Sequence, residues 1–280
     1  VKGTLSRFST EINRTEKVRS GFLDVEMQAD RIWVKKIHLR SSTAIAKGSI
    51  QVTGKGEKQR IDARFDSLFI RNNALQKWAT VDVPFRRNAL LKGSFVVESH
   101  SAKAKNLMVV LDGKPSISGN FLVKNWEDVN RLQVEASRAK MDLNPAQLFT
   151  QMNQNEWAEK AKPIGNITFE GNASYRESTV KTDGFLQSDL GKVTSKSDIS
   201  WKNGWKIKGD LSTENLNLSP FLPEESSLSK ITFQGKMNVG GKDISSLTGP
   251  VQGTLSEVEF QGKNYQRISL DGNFGEGYFR

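Results

Sequence analysis

Alternation with a period of two runs through this 280-residue chain from end to end, and it leaves few folds open. In Leu23-Asp24-Val25-Glu26-Met27-Gln28-Ala29-Asp30 every odd position is apolar and every even one polar. Ile167 to Tyr175, Trp205 to Leu211, Ile231 to Val239 and Ile268 to Phe274 repeat the pattern. Successive side chains of a strand point to opposite faces, so each run reads as a strand with one apolar and one wet face. Buried parallel sheet would give continuous apolar runs instead, which disfavours a doubly wound α/β fold. The seven prolines are read as falling between the alternating runs, where no ladder N–H is needed. Helix signals are few. Asn144-Pro145 offers an N-cap followed by proline at the first helical position, which predicts a helix from about Pro145 toward Lys162, broken near 153–155. Asn73 to Trp78 and Asn125 to Asn130 each have room for a turn or two of helix.

A finer pattern lies inside the alternation. Gly3, Gly48, Gly93, Gly119, Gly171, Gly209, Gly235, Gly253 and Gly272 each sit on the apolar parity, flanked by polar and then apolar residues. Glycine inside a strand costs roughly 0.5–1 kcal/mol relative to alanine, so the repetition calls for a cause. Sheet curvature at glycine kinks is the favoured one, and room for large cross-strand neighbours is the alternative. Between Ile199 and Ile207, a three-residue loop Lys202-Asn203-Gly204 with Gly204 left-handed keeps Trp201 and Trp205 on one face; a two-residue Asn203-Gly204 turn would not. A longer repeat links Asp66 to Ile70, Ala139 to Leu143 and Glu214 to Leu218, with Leu68, Met141 and Leu216 lying 73 and 75 positions apart. It predicts one continuous, elongated body with repeat units of roughly 1–78, 79–150, 151–222 and 223–280.

Composition narrows the chemistry. The absence of cysteine excludes disulfide scaffolds, thiolate metal sites and thiol nucleophiles. His38 and His100 stand alone among strand-forming residues, without the company that a triad or metal site needs. Gly54-Lys55-Gly56 reads as a turn and Glu224-Glu225 as a solvated pair, so neither a phosphate loop nor a glycosidase dyad is expected. No catalytic residue, metal or cofactor is expected, and the chain is read as not an enzyme. The net charge of +10 comes from basic residues that alternate with apolar ones and are interspersed with acids. That is the pattern of a solvated face, so nucleic acid is not expected as a partner, while the excess favours anionic headgroups. No apolar run is long enough for a membrane-spanning helix. The opening at Val1 and the stop just after a strand-like run give the expectation of a piece of a longer protein.

The one-sided strands must bury their apolar faces. They pack on one another in a filled solenoid or sandwich, a spacer or adhesin, or they curl into a trough for an apolar cargo. Burying ~15 methylenes at about 0.8 kcal/mol each gives about 12 kcal/mol per acyl chain, enough to carry a lipid through water. Alternation by itself leaves both open.

The glycine-centred strands, the Glu214-Asn215-Leu216-Asn217-Leu218-Ser219-Pro220 type of segment and its spacing resemble the AsmA-like superfamily, closest over Lys114 to Phe149. The resemblance implies an all-β, curved, repetitive sheet (a β-taco) with a hydrophobic concave face and a few short helices. It implies a periplasmic protein of the Gram-negative envelope, anchored in the inner membrane by parts outside these residues. Its cargo would be phospholipid acyl chains, carried toward the outer membrane, and its partner an outer-membrane barrel of the TamA type. The groove lining is then expected from the apolar parity set. Its first part is Leu23, Val25, Met27, Phe65, Phe95, Val97, Leu132, Val134, Ile167 and Phe169. Its second is Tyr175, Trp201, Ile207, Leu211, Ile231, Phe233, Met237, Ile268, Leu270 and Phe274. Glutamate at Phe169 or Phe233 is expected to block lipid passage and leave the fold intact.

Overall fold

The alternating runs become antiparallel strands almost wherever they occur. A computed structural model describes residues 1–13, 16–71, 88–128, 130–151, 155–221, 228–242, 246–275 and 278–279. Strands make up 74% of it and helices 9%, in an open, antiparallel, all-β arrangement, as the alternation predicts. The chain forms two compact units, Val1–Val129 with Leu148–Asn155, and Asn130–Gln147 with Glu156–Arg280. The expected repeat boundaries near 78 and 222 lie outside the described residues, as does the helix expected at Asn73 to Trp78.

In the first unit each strand pairs with the next. They are β1 (Lys2–Asn13), β2 (Glu16–Gln28), β3 (Arg31–Ser41), β4 (Ala44–Thr53), β5 (Arg60–Ile70), β6 (Ala89–Glu98), β7 (Ser101–Leu111) and β8 (Lys114–Lys124). The apolar parity is kept across the ladder: Leu23 faces Ile37, Ile37 faces Gly48, Gly48 faces Phe65 and Phe65 faces Gly93. Alternation fails at one end. Leu68-Phe69-Ile70, Ala89-Leu90-Leu91 and Val109-Val110-Leu111 are continuous apolar runs, and Phe69, Leu90 and Val110 make a second apolar row on the other face.

The second unit is also a meander. Its strands are β9 (Gln133–Leu143), β10 (Ile167–Arg176), β11 (Thr179–Ser188), β12 (Gly191–Ser200), β13 (Trp205–Glu214), β14 (Leu216–Asn217), β15 (Leu228–Gly241), β16 (Gly249–Phe260), β17 (Lys263–Gly275) and β18 (Tyr278–Phe279). Both β13 and the short β14 pair with β15. Two helices lie in the expected span, α1 (Pro145–Gln151) and α2 (Asn155–Ala161); of the break expected near 153–155, residues 153 and 154 lie outside the described residues and Asn155 is helical. Asn144 caps α1: its Oδ1 accepts from the N–H of Gln147 at 3.1 Å. Residues 125–128 form a turn, closed by Asp128 N–H donating to the Asn125 carbonyl, where a turn or two of helix was expected. Two prolines depart from the expectation. Pro115 and Pro250 are second residues of β8 and β16, near a strand end, where few ladder bonds are at stake.

The 202–204 hairpin has the three-residue form. Ser200 pairs with Lys206 and Ile199 with Ile207, so Trp201 falls opposite Trp205, and Gly204 takes φ +91°. The kink glycines lie where neighbouring backbones approach. A Cβ on Gly209 would come within 2.5 Å of the Ser197 Cα, and one on Gly171 within 2.5 Å of the Gly184 Cα. Room for side chains contributes as well. The Phe233 ring lies over Gly235 and Gly253, which face each other across β15 and β16.

Candidate functional site

The second unit encloses an apolar groove of about 740 Å³ on the inner face of β10–β17. It is assembled from cross-strand rows. Phe169 faces Leu186 and Leu186 faces Val193; Ile199 faces Ile207 and Ile207 faces Val239; Ser195 faces Leu211, and Leu211 faces Gly235. Along the kink line the side chains are small, so the strands can bend toward one another without collision. The hydroxyls there satisfy themselves. Thr182 Oγ1 lies 2.9 Å from Ser195 Oγ and 3.2 Å from Ser197 Oγ, and the two serine oxygens are 2.5 Å apart. Thr213 Oγ1 accepts from the N–H of Phe233 at 2.9 Å and donates to the Ile231 carbonyl at 3.2 Å. Polar atoms on an apolar face are tolerated when paired in this way. Among the described residues, no ionisable side chain lines the groove.

Of the expected lining, Phe169, Ile207, Leu211, Ile231, Phe233, Met237 and Leu270 are in this groove. Phe169 and Phe233 are the buried ones among these seven, 8% and 6% exposed. Val134, Tyr175 and Ile268 share the groove's parity, paired with Tyr175, Val180 and Leu255 respectively, without lining it. Tyr175, Trp201 and Trp205 instead form an aromatic ladder at one end of the strands, with ring centroids 6.1 and 5.9 Å apart. Ile167 faces Leu143 at the start of β10, and Leu132 immediately precedes β9. Phe274 faces Gly249 in β17, and its side chain lies outside the described residues. In the first unit Leu23, Val25, Met27, Phe65, Phe95 and Val97 all fall on one face of the ladder. Phe65 and Phe95 pack there at 6.1 Å, while Met27 and Val97 are 47% and 38% exposed.

Sequence reasoning missed Leu186, Val193, Val239, Leu247 and the Leu216–Leu218 segment, which also line the groove. In β11 and β12 the apolar parity is interrupted by Thr182, Gly184, Ser195 and Ser197, so those strands look polar on both faces. The usable signal was register: once the hairpins are counted out from Trp201 and Trp205, Val193 and Leu186 fall in line with Phe169.

The outer face of the same strands is charged, and several of its lysines pair with acids. Lys140–Glu170, Lys181–Asp198, Lys196–Asp183 and Lys236–Asp210 bridge neighbouring strands at 2.9, 2.8, 3.6 and 3.8 Å. His38 is exposed, and His100 Nδ1 lies 3.4 Å from Glu127 in an exposed pair. Among the described residues there is no cluster of three metal-ligating side chains and no helix long and apolar enough to cross a membrane. The described walls of the groove therefore offer a cargo dispersion and hydrophobic contact. No family model matches the chain, and neither a curated protein nor a solved structure matches it.

Proposed function

We propose that the groove of the second unit holds a phospholipid acyl chain and that the chain acts without enzymatic chemistry. In this reading it belongs to a periplasmic bridge of the Gram-negative envelope that carries phospholipid toward the outer membrane. That context rests on the resemblance to the AsmA-like superfamily, and to its TamB type in particular. The same resemblance supplies an inner-membrane anchor outside these residues and a TamA-type barrel as partner. The observation that carries the reading is an apolar concavity of about 740 Å³, lined among the described residues without an ionisable side chain, on an open sheet. That volume is within the roughly 300–1,000 Å³ range of sites for small ligands. Each buried methylene adds about 0.8 kcal/mol, so a single acyl chain occupying the groove is held strongly without any specific polar contact.

Lipid extraction of the purified chain, read by mass spectrometry, tests this. Phospholipid is expected to co-purify, and Ile207→Glu and Leu211→Glu are expected to deplete it several-fold while the strand signal in circular dichroism is kept. These positions replace the Phe169 and Phe233 expected from sequence, because a charge at residues so deeply buried also destabilises the fold. Lipid retained in both variants, or a chain that neither carries nor takes up lipid, refutes the groove. Unfolding of both variants returns the filled-core spacer.

A further inference from the structure

On the polar face of the first unit a row of cations runs beside others that are paired, Lys35 with Glu26 and Arg60 with Asp62 and Glu98. Lys36 on β3, Lys47 on β4, Arg64 on β5, Lys92 on β6, and Lys103 and Lys105 on β7 all lie on the face opposite Ile37, Gly48, Phe65, Gly93 and Ala104. The two kink glycines share a tripeptide, Lys47-Gly48-Ser49 and Lys92-Gly93-Ser94, which sets a lysine and a serine beside each kink. Register carries the row across the sheet, since Ser49 faces Arg64, Arg64 faces Ser94 and Ser94 faces Lys105. From β3 to β7 it crosses four strand spacings, about 19 Å. Two acids stand beside the row: Asp66 lies 3.6 Å from Arg64, and Asp24 faces Lys36 across β2 and β3. Among the described residues, Lys47, Lys92, Lys103 and Lys105 enter no ion pair. At one end the row opens into a shallow depression of about 390 Å³ whose lining includes Lys36, His38, Lys47, Ser49, Arg64 and the acid Asp66.

We propose that this row docks the first unit onto an anionic phospholipid surface, with ammonium groups and serine hydroxyls meeting headgroup phosphates. The rings near it are already in use. Trp33 lies under Arg31 and Lys35, each 4.8 Å from its centroid, and Phe22 lies under Lys36 at 5.3 Å. Neither is free for base stacking or as a hot-spot anchor for a protein partner. A bilayer surface needs no such anchor, because each lysine near it adds its attraction independently, about fivefold in affinity. The site is in the other unit from the groove and does not depend on it.

The test is co-sedimentation of the whole chain with vesicles of phosphatidylcholine alone and of an equimolar mixture with phosphatidylglycerol. Binding is expected to the mixed vesicles only, weakening as salt rises. The triple variant Lys47→Glu/Lys92→Glu/Lys105→Glu is expected to bind at least about a hundredfold less tightly. Lys181→Glu/Lys196→Glu/Lys236→Glu, the same charge change on the second unit, is expected to retain most of the binding. Equal loss in both variants reduces the effect to net charge and overturns the proposal. So does equal binding to both vesicle types, or to neither, or displacement by polyglutamate but not by phosphatidylglycerol. Ile207→Glu separates the two readings: it is expected to lose groove lipid and keep vesicle binding, and loss of vesicle binding in it assigns that binding to the groove instead.

Discussion

At the scale of single residues, the backbone geometry is held by a few side chains with defined tasks. Asn106 and Arg138 adopt φ of +49° and +50° at bulges in β7 and β9. In each case the N–H is taken by an asparagine that follows a kink glycine on the neighbouring strand: Asn106 donates to Asn120 Oδ1 at 2.9 Å, and Arg138 to Asn172 Oδ1 at 3.0 Å. The Gly-Asn pair therefore bends its own strand and satisfies the extra residue of the next. The glycines differ in what they permit. Gly209 has φ +148° with the backbone of Ser197 against it, whereas nothing lies within 4 Å of a Cβ on Gly3. Gly209→Ala is expected to lose more than about 1 kcal/mol in urea unfolding, and Gly3→Ala to lose nothing measurable. Equal effects from the two would remove the close-approach argument.

Single strands are joined by edge chemistry as well as by the ladder. Arg60 at the start of β5 donates from Nε and Nη2 to Asp62 at 2.8 and 2.9 Å, and from Nη1 to Glu98 of β6 at 2.9 Å. Those hydrogen bonds hold the Asp62 carboxyl below the usual aspartate range. Because the folded value is depressed, the stabilisation is present above the ordinary aspartate pKa and fades as pH falls through the depressed one. The pair is solvent-exposed, so its share of stability is small. Carbon-detected NMR titration is expected to place Asp62 below the usual range and Arg60→Ala to return it there; an unchanged midpoint would dissociate the shift from Arg60. The hairpin between β12 and β13 was readable at this scale, because face consistency of Ile199, Trp201, Trp205 and Ile207 admits one loop length.

Over the whole molecule, the aromatic ladder gives the groove a reporter. Trp201 is 37% exposed and stacks between Tyr175 and Trp205 on the groove's face, while Trp157, 56% exposed, is on α2 beneath Lys160. If acyl chains run along that face, phospholipid with brominated chains is expected to quench Trp201 and Trp205, and Trp201→Phe/Trp205→Phe to abolish most of the quenching. Quenching that persists in the double variant places the chains elsewhere.

Fold class, the faces of most strands and one hairpin loop could be read from the amino-acid order, since the pleat is a local property that any short run displays. Half-visible were the groove walls. Phe169, Ile207, Leu211 and Phe233 announced themselves by parity, but Leu186 and Val193 stood among serines, threonines and glycines whose apolar-face role depends on what lies across the strand. Which of the one-sided strands close around a shared concavity, and which cations go without an acid, follows from register, bulges and the approach of backbones far apart in the chain. Those are set by cross-strand contact, so only the tertiary structure decided them.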